Sequence, residues 1–307
     1  MPTPQHGLSS LIGLLSNPDP DALRSLILPP APRGVEACQP APASWGALQD
    51  GLVDSARAGL LGPGGPKRVV LLIGCSRSGS TVMMRLFGAA GLKVFNQPLK
   101  NALRHRLVGL RYDWRAPPDL PVLVIKSTLG QFVPAECLFD PIGAILAAGL
   151  PPEQLRIVEL EREPAAALAS WRECWGDRLD AGVLEEHFVL ASLNLRRVVD
   201  QAARLGVGVE RHALRLHDAP AVHIARLFDA LGLGAYYHPG VLEGWPPLRS
   251  PASNILTWPE PVPYRTERPL HSETDRLMPQ DAHPSPPLPA WVADALGLDP
   301  VQREPAA

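Results

Sequence analysis

The sequence predicts an α/β domain built on a doubly wound parallel sheet, and three observations predict it. A short, continuous apolar run rich in β-branched residues at 69–73 suits a strand buried on both faces, and further short strand-like runs stand at 122–125 and, around Glu159, at 157–160. Stretches with apolar residues at helical spacing separate them. A loop of small residues, Gly74 to Ser80, joins the first buried run to a helical stretch. Strands that alternate with helices in this way form parallel sheets with crossover connections.

Each element follows in order. Leu8, Leu11, Ile12 and Leu15, then Leu23, Leu26 and Ile27, are helically spaced, and Pro18 and Pro20 divide them into two short helices. Residues 29–66 read as a linker with a short helix around 45–58. The strand at 69–73 ends on Gly74, and the helix over 82–90 stops at Gly91, a residue suited to a C-terminal cap. A second strand is expected at 92–95, a third at 122–125 stopped by Lys126, and a fourth at 157–160. Pro164 stands where its fixed φ favours a helix start, and that helix runs to Trp175. Residues 183–205 form a long amphipathic helix with Leu184, Phe188, Ala191, Leu195, Val198, Ala202 and Leu205 on one face. A fifth strand at 213–216 and a helix at 220–231, closed by Gly232, complete the pattern.

Composition fits this picture. At 46% hydrophobic and 20% charged, the 307-residue chain can bury a core. A formal charge of −2 supplies no global basic field for nucleic acid or membrane. No apolar run is long enough to span a bilayer, and no basic segment precedes the first apolar stretch, so a cytoplasmic protein is expected. Cys38, Cys75, Cys137 and Cys174 are widely spaced, which points to reduced thiols rather than a zinc site or disulfides. The 36 prolines concentrate at the two ends, where they disfavour helix and sheet ladders. The expected organisation is a helical and linker extension over 1–66, an α/β core over 67–240, and a Pro-rich irregular region over 241–307 that packs on or extends the core.

The loop Gly74-Cys75-Ser76-Arg77-Ser78-Gly79-Ser80-Thr81 carries the chemistry. Small residues between a buried strand and a helix let backbone N–H groups converge on an anion, and the helix N-terminus adds its positive dipole end. The pattern is P-loop-like, but Ser80 stands where a lysine would clamp ATP phosphates. Arg77 supplies a cation from within the loop instead, and a guanidinium can grip an oxyanion with two parallel bonds. A second constellation repeats the logic, because Arg162 leaves the fourth strand and Ser170 lies on the next helix. Ligands of doubly wound sheets bind beyond the carboxyl ends of the strands, so both constellations should open onto one edge.

These residues resemble a known family. Ser76 to Thr81 is similar to the 5′-phosphosulfate loop of sulfotransferases, a basic residue followed by S-G-[ST]-T. Arg162, Pro164 and Ser170 resemble that family's 3′-phosphate motif, R-x-P with a serine eight residues after the arginine. Val124-Ile125-Lys126-Ser127 resembles its intervening strand and lysine, and residues 213–218 with 227–233 its late strand and helix. The resemblance implies binding of 3′-phosphoadenosine 5′-phosphosulfate and transfer of its sulfuryl group to a hydroxyl or amine, with no required metal. It implies that Ser76, Arg77, Ser78, Gly79, Ser80 and Thr81 hold the 5′-phosphosulfate, and that Arg162 and Ser170 hold the 3′-phosphate. Lys126 is expected to stabilise the departing phosphate or the transferring sulfuryl oxygens.

The base departs from the family pattern. Thr128 stands where several members carry histidine, and Asn96-Gln97-Pro98 lies where other branches carry glutamate. His105, whose arginine neighbours favour the neutral ring, is the first candidate base, ahead of Glu136 and Asp113; a basic helix patch is its bland alternative. The nearest basic stretch to the family's late glycine-rich segment is Leu248-Arg249-Ser250. Trp171 and Trp175 are expected to pack, His212, His217 and His223 lack metal spacing, and Glu185-Glu186 with Arg196-Arg197 read as a solvated helix face. Variable loops at 96–120, 176–190 and the last third, with Tyr112, Trp114, Trp175, Phe188, Trp245 and Trp258, suggest a partly apolar small-molecule or carrier-bound acceptor. Two other readings stay open: a P-loop small-molecule kinase, and a non-catalytic interaction module on a nucleotide fold.

Overall fold

The computed structural model describes residues 8–16, 19–213, 219–248, 250–265 and 286–298. Two N-terminal helices, α1 (Leu8–Ser16) and α2 (Pro20–Ser25), precede a two-residue antiparallel pair, β1 (Ile27–Leu28) and β2 (Ala43–Ser44). Helix α3 (Trp45–Leu60) follows, capped by the Ser44 hydroxyl. The core then runs β3 (Val69–Cys75), α4 (Ser80–Ala89), β4 (Lys93–Asn96), α5 (Pro98–Leu107), β5 (Leu123–Leu129), α6 (Pro134–Leu138) and α7 (Pro141–Ala148). It continues through β6 (Leu155–Glu161), α8 (Pro164–Trp175), α9 (Ala181–Arg204), β7 (Gly208–Ala213) and α10 (Pro220–Ala230). Strand β8 (Ile255–Thr257) and α11 (Ala290–Leu296) lie in the Pro-rich part.

Strands β3 to β8 form one parallel sheet in the order β7-β6-β3-β5-β4-β8. Alternate residues of β3 enter different cores, as strand geometry requires. Val69, Leu71 and Ile73 pack with α3, α5, α6, α7 and α9, whereas Val70 and Leu72 pack with α4 and α10. The sheet is therefore flanked by helices on both sides, and every residue of β3 and β5 is buried. Helix α9 buries the expected face, but Leu205 caps it from outside and is 53% exposed. Among the described residues no helix is long and apolar enough to cross a membrane.

Several expectations need correction. Strand β5 does not stop at Lys126 but continues to Leu129, because β3 pairs with it through Cys75↔Leu129. The strand expected at 213–216 is described only up to Ala213 and begins earlier, at Gly208, and residues 214–218 and Arg249 fall outside the described ones. The Pro-rich region is not wholly irregular, since β8 pairs with β4 and adds a sixth strand. The face expected to be solvated is partly buried. Glu185 pairs with Arg172, and Arg197 donates to Asn194 and lies 3.7 Å from Asp140.

Candidate functional site

The order of strands places the site. From β3 the chain winds one way through β4 and β5, then returns to the other side of β3 for β6 and β7. The crevice of such a sheet opens beyond the carboxyl end of the strand at the reversal, which here is the β3–α4 loop. Arg77 has φ +73° and Gly79 φ +84°. A left-handed arginine is uncommon and costs energy, and such strain concentrates where a loop is shaped for function. No side chain caps α4, so the N–H groups of its first turn keep their bonding capacity for a ligand. Ser76, Ser78 and Ser80 are buried, and Ser78 Oγ has no hydrogen-bond partner.

The loop is anchored from three sides. The Ser76 N–H donates to the Leu129 carbonyl at 2.8 Å, and Trp171 Nε1 donates to the Ser76 carbonyl at 2.6 Å. Ser76 Oγ donates to the Gly130 carbonyl at 2.9 Å and lies 3.2 Å from Thr128 Oγ1. Trp171 and Trp175 do pack, edge to face at 5.0 Å, but Trp171 also fixes the loop, a role that its helical spacing alone did not reveal. Gly74 is required by close approach: a Cβ there would stand 2.5 Å from Ser78 Oγ and 2.8 Å from the Leu160 carbonyl oxygen. Gly74→Ala is expected to force β3 from β6 or displace Ser78, at a cost of ~1–3 kcal/mol read as a lowered Tm in thermal melts.

The two sequence constellations meet. Arg162 Nη1 donates to the Arg77 carbonyl at 2.8 Å, and Arg77 Nε donates to Ser170 Oγ at 3.0 Å. Lys126 reaches over from β5 and donates to Thr81 Oγ1 at 3.2 Å. None of the ion pairs among the described residues includes Arg77, Lys126 or Arg162. Three cations thus face one loop with their charge uncompensated by contact. The electrostatics register it. Burial, then the Lys100 and Arg77 charges, push Lys126 down to about 7, with Glu260 opposing. Burial, then Arg77, lowers Arg162, with Glu163 opposing. An anion placed among them would relieve both.

The two positions where the resembled family carries its base also converge. Thr128 Oγ1 donates to Gln97 Oε1 at 3.1 Å beside Ser76, and neither side chain can take up a proton at neutral pH. His105 sits elsewhere: its Nδ1 is 2.8 Å from the Asn101 carbonyl of its own helix, its ring lies 4.7 Å from Tyr112, and none of its bonds reaches the loop. Asp113 is exposed. Glu136 is fully buried and serves as a counter-ion, accepting from Arg104 Nε at 2.8 Å and from the Phe132 N–H at 2.8 Å. Burial raises Cys75 to about 11, so this thiol is not a nucleophile at neutral pH.

Sequence reasoning missed Lys100 and Glu260. Lys100 is fully buried on α5, donating to the Gly130 carbonyl at 2.7 Å and to Ser76 Oγ at 3.4 Å, with Glu136 3.6 Å away. Burial lowers it to about 8 despite Glu136. Glu260 reaches Arg104 Nη1 with Oε1 at 2.5 Å, while Arg104 Nη2 donates to Gln131 at 2.6 Å. The signal for Lys100 was a lysine on the same helix face as Leu103, next to Leu99; for Glu260, hidden among prolines, there was none. Among the described residues no group of three or more His, Cys, Asp or Glu side chains could hold a metal ion. A scan against protein-family models and a search of the curated proteins each return no match for this chain.

Proposed function

We propose that the chain is a sulfotransferase that moves the sulfuryl group of 3′-phosphoadenosine 5′-phosphosulfate onto a hydroxyl or amine of a small-molecule or carrier-bound acceptor. One observation carries the reading: Arg77 is bonded at once to Arg162 and Ser170, and with Lys126 these cations surround a loop that has an uncapped helix start. The residues fit a nucleotide that carries two anionic groups. The unpartnered Ser78 hydroxyl and the first N–H groups of α4 suit the 5′-phosphosulfate together with Arg77. Arg162 and Ser170 suit the 3′-phosphate. Lys126, at the start of α4, would stabilise negative charge that develops on the departing phosphate.

A P-loop kinase fits less well. Beside the loop, β5 presents Lys126, Ser127 and Thr128 where a magnesium-binding carboxylate would be needed. On the other side, Glu159 of β6 is held by Arg211 at 3.0 Å.

Calorimetric titration with 3′-phosphoadenosine 5′-phosphate, without metal, tests the reading. A Kd of about 1 μM or tighter is expected, about −8 kcal/mol. Binding at pH 8 should draw up to about one proton from the buffer, because Lys126 is largely neutral there in the free protein and the anion recharges it. Affinity should therefore fall as pH rises above 7. Binding of ATP–Mg²⁺ in place of the adenosine bisphosphate would overturn the assignment.

A further inference from the structure

All strands of the sheet are parallel, so their carboxyl ends open on a single edge. Register carries this edge out to β8, with Thr257 opposite Asn96 and Asn96 opposite Lys126. Glu260 follows three residues after Thr257 and therefore emerges on the edge where Lys126 and the β3–α4 loop lie. Its side chain is 34% exposed, whereas its partner Arg104 is 1% exposed. Arg104 also meets the buried Glu136 at Nε, and Glu136 is shared with Lys100, so Glu260 supplies the second carboxylate of this cluster from an accessible position. Its charge is also felt at the site, raising both Lys126 and Lys100 against burial.

We infer that Glu260 is the general base of the site, with Arg104 as the group that orients it. The inference rests on the sulfuryl-transfer reading above and supplies the base that Thr128 and Gln97 cannot provide. Arg104 holds Oε1, which leaves Oε2 for the acceptor. The acceptor hydroxyl gives its proton to Oε2 as its oxygen bonds to sulfur. The bond from sulfur to the 5′-phosphate oxygen breaks, and the electron pair stays on that oxygen. The products are the sulfate ester and 3′-phosphoadenosine 5′-phosphate, and Glu260 returns its proton to water through its exposed side. The charged groups around it are Arg104 and Lys100 from α5, Glu136 from α6 and Lys126 from β5, with Arg265 Nε donating to the Glu260 carbonyl at 3.2 Å.

The test uses the full chain as wild type, Glu260→Gln and Glu260→Asp. Affinity for 3′-phosphoadenosine 5′-phosphate is read by calorimetry, and consumption of 3′-phosphoadenosine 5′-phosphosulfate is read with water as acceptor. Glu260→Gln should keep its affinity within about threefold, slow consumption by about 100-fold or more, and lose the acid limb of the pH–rate profile. Glu260→Asp should recover part of the rate together with that limb. Consumption by Glu260→Gln at close to the wild-type rate with the limb intact overturns the assignment, as does a wild type that binds the product nucleotide yet leaves the donor intact. A wild type without affinity for the product nucleotide fails in the titration itself, which overturns the donor reading and takes the base with it.

Discussion

Glu136→Gln is expected to cost about 3–5 kcal/mol of stability, the effect of leaving a buried charge without its partner. Glu136 is fully buried and shared between two buried cations, Arg104 at 2.8 Å and Lys100 at 3.6 Å. Burial raises its carboxyl, but Arg104, Lys100 and the Phe132 N–H outweigh burial, and the net shift is downward. A carboxyl lowered in the folded state stabilises the fold above its unfolded value and loses that contribution as pH falls through the folded one. Wild type should therefore lose stability on the acid side, and the glutamine variant should show a flatter acid limb. Lys100, already lowered to about 8, can shed its proton when its partner is gone, so the variant should recover part of its loss as pH rises. Arg104 cannot shed its proton, and the remainder stays. Urea melts of both proteins between pH 4 and 9 check this, and a variant as stable as wild type at pH 7 contradicts it.

Arg162→Ala should weaken binding of 3′-phosphoadenosine 5′-phosphate by about 10- to 100-fold, the worth of ~1.5–3 kcal/mol for a hydrogen bond to a charged group. The loss has two sources. The guanidinium would contact the 3′-phosphate directly, and it also holds the Arg77 carbonyl at 2.8 Å, fixing the strained residue that on this reading would meet the 5′ end. The free protein should not suffer in step. Burial and the Arg77 charge both work against Arg162 in the absence of ligand. A Tm within a degree or two of wild type, combined with the affinity loss, separates a binding residue from a structural one. Unchanged affinity would remove Arg162 from the site.

The sequence made the centre of the sheet legible and its edges not. The run at 69–73 is buried on both faces and declares itself by continuous apolarity, and that at 157–160 is apolar and buried apart from the half-buried Glu159. The edge strand β7, half exposed over Gly-Val-Glu-Arg-His-Ala, has no such run, and β8 is only three residues long. Strand β5 runs on through Lys126, Ser127 and Thr128, polar residues that end a strand by pattern and continue it here, where the loop region engages the Lys126 and Thr128 side chains. For the site, the loop residues and Arg162 with Ser170 were legible because strand–loop–helix order fixes where they stand. Glu260 was not, because only the pairing of β8 with β4 carries it to the same edge. His105 stands apart for the opposite reason: its helix turns it toward Asn101 and Tyr112 while Lys100 and Arg104 face the buried carboxylate.

The pairing of β8 has a kinetic consequence. Tyr264 donates to the Cys38 carbonyl across 226 residues of sequence, and β8 closes the sheet beside β4, which is made far earlier. Contacts so distant along the chain form only after the entropy of closing a long loop has been met, and they slow folding. On the ribosome, the outer side of β4 stays open to other chains until the segment around residue 260 has emerged, a period in which an unpaired strand invites aggregation. The segment that closes this edge also brings Glu260, so a nascent chain would complete the β3–α4 loop well before Glu260 joined it.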